Sequence, residues 1–356
     1  MRLRGAISKL SIMGLLTRND RSLCLRDKRQ CSLNLKELDK NHDKEHYYTL
    51  PVSFQTRTPG ERMTMDIGIW DVRPITLTAH TPLVVTLHGV PGSSQNFDTI
   101  GRRLTEHGIR VVGLDFPAFG KSRLSERNIY RLDHSTEGRY QMLTTILNTL
   151  GICRIDVLLS HSGGTWLNYK AAADLQCVKS SLLLNPLGKR TLRPLRPFVV
   201  FKLFARLLRN PFLHSKFNKS LPFIYKFSGF KLAEEDFSPL PVAVETIVRT
   251  DYEKMQGYAE KMSSKKHPFV MATTQNDQFV EIQIAIEMAQ HMGIEEGEIT
   301  EYSNGSATSG DAVGKYDDTF YRRVILFEKG GHLVHKINET EIVQQILQLV
   351  AVVSSH

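Results

Sequence analysis

The chain is poor in cysteine. Its 356 residues hold four, Cys24, Cys31, Cys153 and Cys177, and no two of them make a C-x-x-C pair. That argues against a disulfide scaffold and points to reduced thiols in an intracellular protein. Long apolar runs are lacking as well: none reaches the ~18 residues that a spanning helix needs. No internal repeat is present. Acidic residues are missing from Lys189 to Lys231, a segment with eleven Lys or Arg. The net charge of +9 is therefore regional, a property of that segment rather than of the core. With 41% hydrophobic and 23% charged residues, the composition is that of a folded globular chain and not of a disordered one.

The first eighteen residues, MRLRGAISKLSIMGLLTR, carry four basic side chains and no acidic one. Lys9 interrupts the apolar part and no clear cleavage site follows, which argues against a secretory signal. A mitochondrial presequence fits this composition, and a mobile basic tail fits it slightly better. Residues 1–45 are thus read as a basic tail, with targeting as the alternative. The expected compartment is the cytoplasm, with the mitochondrion second.

What is present is alternation. YTLPVSFQTR and MTMDIGIWDV are strand-like, and PLVVTLHG, IRVVGLDF, IDVLLS and VKSSLLLNPLG are apolar, β-rich runs suited to strands buried on both faces. Between them FDTIGRRLTEHG, TEGRYQMLTTILNTLG and GTWLNYKAAADL read as helices, the first two ended by Gly108 and Gly151. The order predicts a parallel sheet with right-handed crossovers over residues 46–188. Residues 189–265 break the pattern and form a helical insertion, placed after a strand that ends near Leu187. Alternation returns over 266–356 with HPFVMATTQND, VEIQIAIEMAQHMG, RRVILFEKGGH and TEIVQQILQLVAVV. The polar stretch 295–318 reads as a long exposed loop.

Three loops at the C-terminal ends of predicted strands, where open parallel sheets place their sites, carry Ser162, Asp277 and His332. A serine hydroxyl is a weak nucleophile at neutral pH and needs an adjacent base. His332 can take its proton and return it to a leaving group, and Asp277 can fix the tautomer of the imidazole and stabilise its cation. Ser160 and Gly164 are small, as a sharp strand-to-helix turn requires. Each residue also has a plainer reading: Ser162 as a turn residue, Asp277 as an N-cap, His335 in place of His332. Only His332 follows the Gly330–Gly331 pair that lets a loop fold back. His88 reads as a loop histidine and Asp115 as a loop organiser. His332 and His335 lack the further ligands of a metal site, and Gly120-Lys121-Ser122 lacks the first glycine of a phosphate-binding loop.

The order Ser, acid, His, the turn LHGVPGS at 87–93 and the loop DFPAFGKS at 115–122 together resemble the α/β-hydrolases, the superfamily of esterases, lipases and related enzymes. The resemblance covers residues 50–353 and implies a mostly parallel, doubly wound sheet of about eight strands with an inserted helical lid. It also implies an oxyanion hole formed by the backbone N–H groups of Val90 and Gly163. Ser160 stands where glycine is usual, and Gly163 where a larger residue is usual. The implied activity is hydrolysis of a carboxylic ester or thioester, lipophilic in character, through an acyl-Ser162 intermediate, with no metal or organic cofactor. The resemblance would put aspartate at 162 in an epoxide hydrolase or dehalogenase. Carbon–carbon bond hydrolysis by the same three residues, or a non-catalytic binding protein on the same fold, are the alternatives. The segment 189–231 interleaves nine aromatic residues with its eleven cations. It reads either as a lid that solvates its charges or as a surface for anionic membranes and amphiphilic substrates. No nucleic-acid motif accompanies the charge.

Overall fold

The computed structural model describes residues 45–355 apart from 211, 228–236, 304–305, 310–314 and 318–319. The basic tail with its targeting alternative, Cys24, Cys31 and Lys231 lie outside the described residues. The strands are β1 (Glu45–Gln55), β2 (Arg62–Val72), β3 (Leu83–Leu87), β4 (Arg110–Leu114), β5 (Val157–His161), β6 (Ser181–Leu184), β7 (Phe269–Thr274), β8 (Ile299–Ser303), β9 (Ser306–Ser309), β10 (Lys315–Asp317) and β11 (Phe320–Phe327). They form one sheet of order β1-β2-β4-β3-β5-β6-β7-β11-β8-β9, with β10 paired to β11. Pairing is parallel from β4 through β8 and antiparallel at both edges.

The helices are α1 (Asp98–Glu106), α2 (Thr136–Thr149), α3 (Thr165–Asp174), α4 (Phe198–Leu208), α5 (His214–Phe227), α6 (Leu240–Arg249), α7 (Met255–Ser264), α8 (Ile282–His291), α9 (Val334–Ile337) and α10 (Glu339–Ser354). Gly108 and Gly151, at φ of +78° and +67°, end α1 and α2 as their placement in the sequence predicts. Side chains alternate across the sheet with period two. Val157 and Leu159 of β5 pack with Ile100 and Leu104 of α1 and Ile346 and Leu349 of α10. Leu158, between them, packs on the other face with Leu143 and Ile146 of α2 and Leu167 of α3. The sheet is thus doubly wound, and its central strands are buried on both faces, which is why they read as unbroken apolar runs.

One expectation needs correction. The sheet has eleven strands among the described residues, not about eight. The surplus comes from the stretch taken as a loop: β8 adds to β11 in parallel, Ile299 opposite Val324, while β9 and β10 are short antiparallel partners. The described side chains of β9 are exposed, so the segment needs no apolar alternation to sit at an edge. The inserted helices lie between β6 and β7. The strand before them, β6, ends at Leu184. The insertion itself carries α4, α5 and α6, but α7 packs onto the sheet layer: Met255, Ala259 and Met262 are fully buried with Trp166, Met288 and Phe269.

Candidate active site

The site begins with a backbone constraint. β5 runs straight into α3 through Ser162–Gly164, and Ser162 is held at φ +48°, in the left-handed region that a non-glycine residue adopts only at a cost of about 1–3 kcal/mol. The surroundings hold it there. A Cβ at Gly164 would lie 2.4 Å from the carbonyl oxygen of Leu87 and 2.7 Å from that of His88, so only glycine lets α3 start against β3. The Thr165 hydroxyl donates to the Ser162 carbonyl at 2.6 Å and accepts the Leu187 N–H at 3.0 Å, tying the elbow to the loop after β6. The serine at 160 has its own explanation. Its Oγ accepts the Asn168 amide at 2.8 Å, and Asn168 in turn accepts Ser181 Oγ, which meets His267 Nε2. A buried polar network needs every partner, and Ser160 supplies one that glycine cannot.

The three candidate residues come together. His332 Nε2 lies 2.9 Å from Ser162 Oγ, and His332 Nδ1 lies 2.9 Å from Asp277 Oδ2. Burial pushes the Asp277 carboxyl up, but hydrogen bonding and attraction from His332 and the N–H groups of Phe279 and Val280 outweigh it, leaving the pKa below its usual value. A carboxylate can only accept, so Nδ1 carries the proton and Nε2 is free to accept from the serine hydroxyl. The two oxygens of Asp277 have separate partners: Oδ2 meets His332, while Oδ1 accepts Phe279 N at 2.8 Å and Val280 N at 3.1 Å in a turn. It does not cap α8, whose N-cap is Glu281. Gly330 and Gly331, at φ +146° and +56°, turn the loop back as only glycine does readily. Thr274 Oγ1 and Asn276 Oδ1 clamp it through the Gly331 carbonyl and N–H at 2.8 Å each.

The Val90 loop faces the elbow. A Cβ built on Gly89 would stand 3.4 Å from the Ser162 Cβ, and one on Gly163 would stand 3.2 Å from the Val90 nitrogen. It would also meet Val90 Cγ2 at 2.9 Å, so the valine fills the space that a larger residue at 163 would need. His88 and Asp115 hold loops. His88 donates Nδ1–H to the Gly89 carbonyl and accepts the Phe116 N–H, while Asp115 accepts the N–H groups of Ser94 and Lys121.

Three residues escaped the reading of the sequence. Asn185, buried at the end of β6 with φ +43°, donates its amide to Asp277 Oδ2 at 2.8 Å. In the sequence it stands directly after the strand that precedes the insertion, and nothing there marks it for this role. His161, next to Ser162, donates Nε2–H to the His332 carbonyl at 2.7 Å and fixes the loop from beneath. Burial, then the nearby rings of His332 and His335, hold its pKa well below the usual value, so it adds no charge beside His332. Arg139 lies fully buried beside the elbow, stacked 4.9 Å from the Phe116 ring, with Nη1 3.5 Å from the Gly163 carbonyl. Its burial lowers the pKa to about 10, which leaves it cationic at neutral pH. His335, the alternative base, makes no bond to Ser162. It donates to the Asn96 carbonyl at 3.0 Å and stacks on Phe97.

Burial also pushes His134 and His335 down to about 4 and His267 to about 3. Above pH ~6.5 these rings are neutral whether folded or not. Below it the unfolded chain takes up protons that the native one refuses, so stability is lost as pH falls from about 6.5 toward 4. Each ring contributes roughly 2 kcal/mol of that loss by pH ~5. We expect the thermal midpoint to drop on the order of 10 °C between pH ~7 and ~5. An unchanged midpoint would mean that these rings are already charged in the fold.

A doubly wound parallel sheet with a serine, an aspartate and a histidine brought together at its C-terminal edge, in that chain order, is the pattern of the α/β-hydrolase class. The chain belongs to it: residues 52–351 match the family described as alpha/beta hydrolase of unknown function (DUF1057). A comparison with curated proteins finds no match. Among solved structures it is similar to a thermophilic esterase from Thermogutta terrifontis, with 17% identity over 85% of this chain and 99% of that one and a TM-score of 0.54. It is similar, too, to an esterase from Exiguobacterium antarcticum, at 14% identity over 85% and 100% of the two chains and a TM-score of 0.54. A third is a membrane phospholipase A described as a bacterial virulence factor, at 15% identity over 92% and 93% and a TM-score of 0.52. At these identities the likeness is one of fold. No helix among the described residues is long and apolar enough to cross a membrane.

Proposed function

We propose that the protein is a serine hydrolase that cleaves a lipophilic carboxylic ester or thioester through an acyl-Ser162 intermediate. The observation that carries this reading is the unbroken chain from Asp277 through His332 to Ser162, both links at 2.9 Å, ending on a serine held left-handed at the sheet edge. In this mechanism Ser162 Oγ attacks the substrate carbonyl while its proton passes to His332 Nε2. Asp277 stabilises the imidazolium. The tetrahedral oxyanion faces the N–H groups of Val90 and Gly163, with the buried Arg139 adding positive potential behind them. His332 then protonates the leaving alcohol or thiol. In the second half-reaction it takes a proton from water, the hydroxide attacks the acyl carbonyl, and Ser162 leaves with its proton restored. Asn185 is a positioning residue, donating to the carboxylate that orients the base. The lipophilic preference rests on the apolar character of the inserted helices, joined to α3 by edge-on contacts of Tyr252 with Trp166 at 5.3 Å and with Phe198 at 5.5 Å.

A fluorophosphonate probe reacts with an activated serine and tests this directly. We expect one adduct, on Ser162, and none on the Ser162→Ala variant with an unchanged circular dichroism spectrum. A folded protein that is not labelled, or a variant labelled as fully as the parent, overturns the reading.

A further inference from the structure

The inserted helices present a surface that the proposed chemistry does not use. At about 100° per residue, Val199, Leu203 and Val200 fall within one third of the circumference of α4. They are 72%, 57% and 60% exposed. Phe201, Phe204, Ala205 and Leu208, on the opposite arc, pack toward the protein. Phe212, in the turn after α4, is 94% exposed. Lys202 and Arg206 border the exposed stripe, and Lys216, Lys219 and Lys226 line one face of α5 by the same spacing. Phe204 meets Phe217 edge-on at 5.6 Å and holds the two helices together.

The cations of this region divide into two groups. Arg190 pairs with Glu287, Arg193 and Arg196 with Glu281, and Arg209 with the buried Glu245, which Arg249 also holds. These lock the insertion to its own surroundings. Lys202, Arg206, Lys216, Lys219 and Lys226 are exposed, and the ion pairs found among the described residues include none of them. An ordinary surface helix shows water its polar face and keeps its apolar stripe inside. Here α4 keeps one apolar stripe inside and turns a second outward, with cations beside it that face no carboxylate among the ion pairs found, Lys202 lying 5.0 Å from the Phe198 ring. Water gains nothing from that arrangement, whereas a bilayer with anionic head groups meets both halves: acyl chains take the aliphatic groups and phosphates take the cations.

We propose that α4, the Phe212 turn and the lysine face of α5 dock the protein on anionic lipid bilayers. Docking is read without turnover, so it stands or falls separately from the hydrolase reading. The test is co-sedimentation of the full chain with phosphatidylcholine vesicles, with and without phosphatidylglycerol, over a salt series. Binding should require phosphatidylglycerol and weaken as salt rises. Lys202→Glu combined with Arg206→Glu should lower the partition coefficient about 25-fold or more at low salt. Val199→Ser with Leu203→Ser should weaken binding at every salt concentration, and neither exposed pair should alter the thermal midpoint. Absence of binding at low salt, equal binding to neutral and anionic vesicles, or binding kept by both double variants overturns the proposal. So does a concentration-dependent dimer that Val199→Ser with Leu203→Ser abolishes, since the stripe would then be covered by a second copy.

Discussion

Ser162→Ala is expected to lower turnover of a soluble p-nitrophenyl ester by about 10⁴-fold or more while the fold persists. The argument starts from geometry. The hydroxyl is aligned with an imidazole whose other nitrogen is engaged by a buried carboxylate, so its removal takes away the group placed to attack. Alanine should tolerate the site as serine does, because the left-handed backbone is imposed by Gly164 against β3 and by Thr165 on the Ser162 carbonyl. His332→Ala should cost about as much, and the double variant little more than either single one, since the three groups act as a unit. Asp277→Asn is the sharper case. The parent carboxylate accepts two N–H groups, from Phe279 and Val280, at Oδ1, and a neutral amide can keep that turn through its own Oδ1 yet favour the wrong tautomer of His332. His335→Ala separates base from scaffold: its ring bonds the Asn96 carbonyl and stacks on Phe97, so stability should fall while turnover per folded molecule stays near the parent. Losses that simply multiply, or a His335 variant that is inert while the His332 variant works, would contradict the assignment.

The parts of the site that were legible in the sequence are those whose residue type and local setting carry the information. The elbow could be read because small residues around a serine at the end of an apolar run have few other uses, and the Gly330–Gly331 turn because consecutive glycines before a histidine mark a reversal. The parallel sheet was legible because strands buried on both faces must be apolar throughout. The edge was not: the described side chains of β9 are exposed, and such strands are held by backbone pairing that leaves little mark on composition. Asn185 and His161 were hidden for a different reason. Each acts through one hydrogen bond to a residue far along the chain, Asn185 to Asp277 and His161 to the His332 carbonyl, and nothing local distinguishes them from an ordinary asparagine and histidine. The cationic segment shows the limit of counting. Its eleven charges look alike in the sequence, yet Arg209 is committed to a buried glutamate and Arg206 is not.

Gly163→Ala is expected to lower kcat by about 10²-fold, and Val90→Ala in the same chain to restore most of the loss. In the sequence, Gly163 stands where the resemblance would put a larger residue. In the structure it is half of a matched pair. The glycine is not left-handed, so alanine suits its backbone, and the nearest obstacle is Val90, whose Cγ2, Cβ and nitrogen would stand 2.9, 3.0 and 3.2 Å from the new methyl. The contact at 2.9 Å is closer than packed carbon atoms allow and the other two are tight, so something must give. The valine side chain is short and branched, with little freedom to swing aside. The displacement therefore passes to the backbone of Val90, which carries one of the two proposed oxyanion donors, and one such donor is typically worth ~10²–10³ in turnover. Val90→Ala alone removes methyl groups and leaves the N–H in place, so it should change kcat only a few-fold. The double variant relieves the contact and lets the donor return, giving a coupling between neighbours that independent effects cannot produce. The kinetics of fluorophosphonate labelling should follow the same order, because the phosphoryl oxygen occupies the place of the oxyanion. A Gly163→Ala enzyme as fast as the parent would mean that the Val90 N–H does not serve the reaction. A double variant as slow as the single one would mean that the loss arises from the elbow itself and not from the displaced loop.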